Sequence, residues 1–219
     1  MAATAGASSP ICVLRKASQA ERPDGALPFV LPVSTLAGTA PWRADGDPLR
    51  SSPQITPAVC AVAARAARQD QAVASHRWLE RATDYCLSAI EAMHEEPPAH
   101  ILMYSVQVLD AVYETRPGAA GLLKRLGEYI PANGVVRVAG GTEEEALRPL
   151  DFAPSPGRPA RTLFGSSIID AELDRLTAMQ QADGGWTVDY PQISPVGTLE
   201  WRGYATVRAV QILRANSRA

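Results

Sequence analysis

The chain reads as an all-α protein made of stacked helical hairpins, and two observations lead there. Apolar residues recur at helical spacing in one segment after another, with strand-like alternation nearly absent. In addition, a short Asp-Gly or Asn-Gly turn returns after helical stretches. It is clearest in Gln180-Gln181-Ala182-Asp183-Gly184-Gly185-Trp186, fainter in Asp24-Gly25-Ala26-Leu27-Pro28-Phe29, and faintest in Ala132-Asn133-Gly134-Val135-Val136. A turn repeated between helices marks a repeat architecture. Gly134 and Gly184 stand 50 residues apart, and Gly25 and Gly134 stand 109 apart, close to twice that. About three helix pairs result.

Taken in order, residues 1–24 read as an irregular leader with a weak apolar patch at 11–14, and 25–219 as one repeat domain. Pro28, Pro32, Pro41, Pro48 and Pro53 exclude long helices from 25–55. Thr56 is placed to cap a helix that has Pro57 at its first position and runs to 69. Ser75 caps the next, 78–93, whose Trp78, Leu79, Ala82, Cys86, Ala89, Ile90 and Met93 share one face. Glu95-Glu96-Pro97-Pro98 stops it. A third helix spans 99–113, with Leu102, Val106, Leu109 and Val112 on one side, and Arg116-Pro117-Gly118 breaks it. A short fourth covers 119–130. Residues 131–166 read as loop, with a short strand at 135–138 and a solvated helix start at Glu143-Glu144-Glu145. A fifth helix, 168–180, runs into the Asp-Gly-Gly-Trp turn, and a last one covers 199–214.

Composition narrows the function. The 219 residues suffice for one domain with a sizeable core, and 46% hydrophobic with 20% charged residues is ordinary for a globular protein. A net charge of −2 leaves no basic surface to grip nucleic acid. Cys12, Cys60 and Cys86 are few, odd in number and far apart, which argues against a disulfide framework and favours a reducing cytoplasm. With His76, His94 and His100 they show no metal-ligand spacing. No apolar run spans a bilayer, and the first ten residues lack a secretory pattern.

The clearest turn has a composition that geometry explains. Asp183 suits an Asx-turn, Gly184 and Gly185 permit positive φ, and Trp186 can cover a helix end while its indole N–H finds an acceptor. Gln180 or Gln181 can hydrogen-bond peptide groups at a neighbouring helix end.

Gln-x-x-Asp-Gly-Gly-Trp followed by an amphipathic helix at 199–209 resembles the QW-type repeat of the squalene-cyclase and protein-prenyltransferase superfamily, and a group of bacterial proteins with prenyltransferase/squalene-oxidase repeats. The resemblance is clear over 166–215 and faint over 18–69 and 97–134. It implies an α/α toroid in which inner helices line an apolar, isoprenoid-binding cavity. About three hairpins give only a partial ring, as in a truncated or degenerate member that self-association would complete. The cyclases' Asp-x-Asp-Asp acid is absent: Asp45-Gly46-Asp47 and the stretch 170–174 do not match it. In such a ring the inner helices would gather their N-termini at one rim, bringing together Gln54, His100 with Tyr104, and Glu200 with Arg202 and Tyr204. Glu200 and His100 would be the acid–base pair, and Asp151 a further proton source facing the cavity. Arg202 would help bind a pyrophosphate, with Tyr204, Trp201, Tyr104 and Gln54 contacting substrate. No cofactor or metal is implied. A non-catalytic repeat protein that binds a small molecule or another protein is the alternative.

Overall fold

A computed structural model describes residues 10–32, 46–142, 145–188 and 195–218. The class is all-α. The helices are α1 (Pro10–Gln19), α2 (Ile55–Ala66), α3 (Gln71–Ala74), α4 (Arg77–Glu91), α5 (Ala99–Val112), α6 (Ala119–Gly127), α7 (Pro149–Phe152), α8 (Ser166–Ala178) and α9 (Pro195–Ala215), with a 3-10 turn at Pro159–Leu163. The sheet among the described residues is a two-stranded antiparallel pairing of β1 (Val136–Arg137) with β2 (Ala146–Leu147). No described helix is long and apolar enough to cross a membrane. The chain divides into two compact units, residues 1–94 with 107–119, and residues 95–106 with 120–219, so that the division falls within α5.

In the first unit, the segment expected to be an irregular leader contains α1, which packs against α2, α3 and α4 and buries Leu14. Ten residues with three strong apolar positions, all within the first half, make a weak signal. The helix forms because its partners accept Leu14, the usual case for a short helix. α2 begins at Ile55, so Thr56 lies inside the first turn and is not the cap. Ser52 caps instead, its Oγ accepting from the N–H groups of Gln54 (3.2 Å) and Ile55 (3.0 Å). Likewise His76 caps α4, its Nδ1 accepting from the Trp78 N–H at 3.3 Å, while Ser75 donates back to the Gln71 carbonyl at 2.8 Å. The α4 face follows the expected period at Trp78, Ala82, Cys86 and Ile90, all buried.

Tyr85 lies on α4, half-buried, and its phenol is pushed up to about 12 by burial first and by the charge of Asp24 next. Its folded-state value is therefore above the unfolded one. The resulting stabilisation is whole below about pH 10 and is lost as pH climbs through about 12. Wild type should lose urea resistance more steeply than Tyr85→Phe between pH 9 and 11.5, measured by denaturation midpoints. Parallel profiles would exclude Tyr85 as the source.

In the second unit, α8 packs on α7 and on α9. Glu172 of α8 is buried yet paired, with Arg175 at 2.9 Å and Arg148 at 3.3 Å. The Asp151 carboxylate accepts the Arg148 N–H at 2.6 Å, which fixes the first turn of α7. Glu145 precedes β2 and does not start a helix, while Glu143 and Glu144 lie outside the described residues, as does Asp45.

The clear sequence motif and its two fainter copies are three instances of one turn. Gly25, Gly134 and Gly184 all have positive φ, at 89°, 73° and 83°. In each, the glycine N–H donates to the carbonyl three residues back: Arg22 (3.0 Å), Pro131 (2.7 Å) and Gln181 (2.8 Å). In each, the side chain before the glycine accepts the N–H of the residue after it: Asp24 from Ala26 (3.1 Å), Asn133 from Val135 (3.0 Å) and Asp183 from Gly185 (3.2 Å). The next residue, Leu27, Val136 or Trp186, is buried. In two copies a threonine of the following helix grips that residue: the Leu27 N–H donates to Thr56 Oγ1 at 2.9 Å, and the Trp186 N–H to Thr206 Oγ1 at 3.0 Å. The same two copies close with the N–H of Arg22 on the Ala26 carbonyl and that of Gln181 on the Gly185 carbonyl, both at 2.8 Å. Pro131 has no N–H to offer there.

Candidate functional site

The clearest turn holds α8 to α9. Trp186 is buried, and its indole N–H donates to the Leu176 carbonyl at 2.7 Å, covering the end of α8 as its composition suggests. Of its two glycines only Gly184 uses positive φ; Gly185 is small for another reason. A Cβ there would sit 3.0 Å from Arg202 Nη2 and 3.3 Å from Thr206 Oγ1. Gln180 and Gln181 do not reach a neighbouring helix; they donate to the carbonyls of Gly184 (3.0 Å) and Met179 (2.8 Å), within or next to their own turn.

Arg202 is spent on this turn. Its Nη2 donates to both carboxylate oxygens of Asp183, and this pair, then the Gly185 N–H, holds the Asp183 carboxyl below its ordinary range. Gln181, Ala182, Asp183, Thr187 and Arg202 line an open depression of about 440 Å³ beside it. That depression is open to solvent, unlike the enclosed apolar cavity the resemblance implies. Because α9 starts at Pro195, Glu200, Trp201, Arg202 and Tyr204 stand in its second and third turns and not at its N-terminus, so the dipole argument for anion binding does not reach them. Glu200 is exposed on α9, and His100 sits in the first turn of α5.

Four of the eight residues expected at a site come together around Arg208. Trp201, Tyr204 and Arg208 stand at helical spacing on α9, so they share a face. The rings of Trp201 and Tyr204 meet edge to face, 5.6 Å apart at 88°. Arg208 Nη1 donates to Asp151 Oδ1 of α7 at 2.7 Å, and its Nη2 to the Leu150 carbonyl at 3.2 Å. Burial alone would pull the Arg208 guanidinium down, but the Asp151 charge and hydrogen bond more than offset this and raise it. Tyr104, one turn beyond His100 on α5, is raised by burial first and then by Tyr204, with Arg208 opposing. Its phenol is held neutral. Gln54 belongs to the other unit, at the start of α2. Among the described residues no group of three or more His, Cys, Asp and Glu could hold a metal ion.

Sequence alone does not single out Arg208. The available signal is its place four residues after Tyr204 and seven after Trp201, one helix face with a charge at its foot.

Along α9, Val196, Leu199 and Val207 are exposed by 67%, 71% and 59%, and Trp201 and Tyr204 of this cluster by 46% and 58%. The buried residues of α9, Ala209, Ile212 and Leu213, lie in its last two turns. The first four turns thus present an apolar and aromatic surface that packing within this unit does not consume. No family model matches the chain, and neither does any curated protein or solved structure.

Proposed function

We propose that the chain is a helical repeat module that binds an apolar, isoprenoid-like small molecule along α9 without transforming it. The observation that carries this reading is the exposed surface of Val196, Leu199, Trp201, Tyr204 and Val207. Five large apolar side chains on one helix exceed the scattered exposure of an ordinary surface. The QW-like turn, with its resemblance to repeats that line isoprenoid cavities, supports the ligand class. The half-buried Tyr104 phenol and the Arg208–Asp151 pair supply a polar end that would orient a headgroup.

The state of the expected catalytic groups weighs against turnover. Asp151 already accepts from Arg208 and from the Arg148 N–H, so it braces α7 and α9. Arg202 is engaged by Asp183. Glu200 is exposed, where water competes with any developing charge. The terpenoid-cyclase-like enzyme, with Glu200 and His100 as acid and base in a partial toroid, is therefore the second reading.

Titration of the protein with geranylgeranyl pyrophosphate and with squalene, followed by calorimetry and mass spectrometry, separates the two. Binding without product, weakened at least about tenfold in Trp201→Ala/Tyr204→Ala, is the expected result, since each buried ring contributes on the order of 1 kcal/mol or more. Product formed by wild type and lost in Glu200→Gln would overturn it in favour of the enzyme. Absence of binding, together with a dimer in sedimentation that Leu199→Asp dissociates, would assign the surface to a second copy of the chain.

A further inference from the structure

Two thiols lie side by side in the core of the first unit. Cys60 is in mid α2 and Cys86 in mid α4, 26 residues apart in sequence, and neither has any solvent exposure. α2 packs against α4, and the residues next to both thiols that are buried with them are small, Ala61 and Ala63 on α2 and Ala82 and Thr83 on α4. Small contact residues let helix axes approach to the short end of the usual ~8–10 Å. With Cα atoms about 2.3 Å off each axis, facing residues then come within the ~4.4–6.8 Å that a disulfide bridges. Thr83 Oγ1 of α4 lies 3.4 Å from Cys60 Sγ, and Cys86 stands one turn beyond Thr83 on the same helix, which brings its sulfur to the side of Cys60. Cys12, by contrast, is exposed on α1.

We propose that Cys60 and Cys86 are an oxidisable pair that a peroxide closes into a disulfide linking α2 to α4. Spacing in the sequence hides this pair, since nothing local joins the two residues; the helix packing alone brings them together.

The two sulfurs are not equivalent. The hydrogen bond from Cys86 holds the Cys60 thiol below its ordinary range against the upward pull of burial, with help from Thr83 and the Arg116 charge. Burial first, and then Cys60 itself, push Cys86 up. Cys60 is thus the sulfur that attacks. Its thiolate takes one peroxide oxygen, the O–O bond breaks, and the other oxygen leaves as water with the Cys60 proton. The sulfenic acid so formed is then attacked by the Cys86 sulfur. The S–O bond breaks, the S–S bond forms, and a second water carries off the Cys86 proton. Two thiols lose two electrons, and one hydrogen peroxide becomes two waters. A small neutral peroxide is the oxidant suited to so buried a pair, whereas bulky thiol reagents are directed to the exposed Cys12.

The test uses the full chain, as wild type and as Cys12→Ser, treated with hydrogen peroxide under conditions where circular dichroism shows it folded. Intact mass should fall by two hydrogens in Cys12→Ser, a thiol reductant should restore it, and peptide mapping should join Cys60 to Cys86 in both proteins. In Cys86→Ala, peptide mass should instead show oxygen added at Cys60, with no link to another cysteine. Retention of both thiols in folded protein whose Cys12 has been oxidised would overturn the proposal. So would a link that always includes Cys12. The mapping on wild type stands even if Cys86→Ala fails to fold.

Discussion

Replacing Gly25 by alanine is expected to destabilise the chain by about 2–5 kcal/mol, the sum of a left-handed backbone on an L-residue and an overpacked contact. Its φ is +89°, and a Cβ built there would lie 2.8 Å from both the carbonyl carbon and oxygen of Arg81. Backbone atoms cannot swing aside as a side-chain tip can, so either α4 or the turn must shift. The other two copies of the turn serve as graded controls. At Gly134 the Cβ would meet Pro149 Cγ at 2.7 Å, a ring edge that has some freedom. At Gly184 the nearest atom is Gln180 Nε2 at 3.8 Å, so only the φ strain remains, about 1–2 kcal/mol. Urea midpoints of the three alanine variants should rank Gly25 worst and Gly184 mildest. A Gly184→Ala protein as damaged as Gly25→Ala would show that φ strain, and not the contact with Arg81, sets the cost.

Trp186→Ala should cost about 3–5 kcal/mol, the usual range for emptying a buried tryptophan site. The ring is 4% exposed, and its N–H is a donor for the Leu176 carbonyl at the end of α8. Trp186→Phe separates these contributions. It keeps most of the apolar contact and leaves that carbonyl without this donor, at about 1–3 kcal/mol. Trp78→Phe is the matched comparison, because the buried Trp78 indole N–H has no hydrogen-bond partner among the described residues. It should therefore be milder than Trp186→Phe in the same urea series. Equal losses for the two phenylalanine variants would mean that the Leu176 hydrogen bond contributes nothing net.

Length and period decide how much of the fold is legible in the sequence. α4 and α5 carry four apolar residues at helical spacing, and both lie where that spacing places them, to within about two residues at each end. The Asp-Gly and Asn-Gly turns are legible because φ, the Asx bond and the buried residue behind them are local. α1, α3 and α7 are not. Four-residue helices such as α3 and α7 carry no period, and α1 depends on a partner for Leu14. The caps of α2 and α4 fall on Ser52 and His76 rather than on Thr56 and Ser75, since serine, threonine and histidine can all accept at a helix start, and only the chain's path selects one. The cluster on α9 is half legible. Its aromatic residues stand out by type, but Arg208 matters through Asp151, 57 residues away in sequence, and no local rule joins them. Gln54 and Arg202 enter the expected site by analogy to a ring; Gln54 donates to Ser52 two residues back, and Arg202 pairs with Asp183, 19 residues before it.

The middle copy of the turn has a practical consequence. With proline at its first position it forgoes the closing N–H bond that Arg22 and Gln181 supply, and it leads into β1, where the others lead toward a helix. The six-residue connector therefore does not dictate its exit; the residues downstream of it do. For protein engineering this makes the Arg22–Leu27 and Gln181–Trp186 segments portable parts, graftable behind a helix of another scaffold and finished with either a helix bearing a threonine clasp or a hairpin.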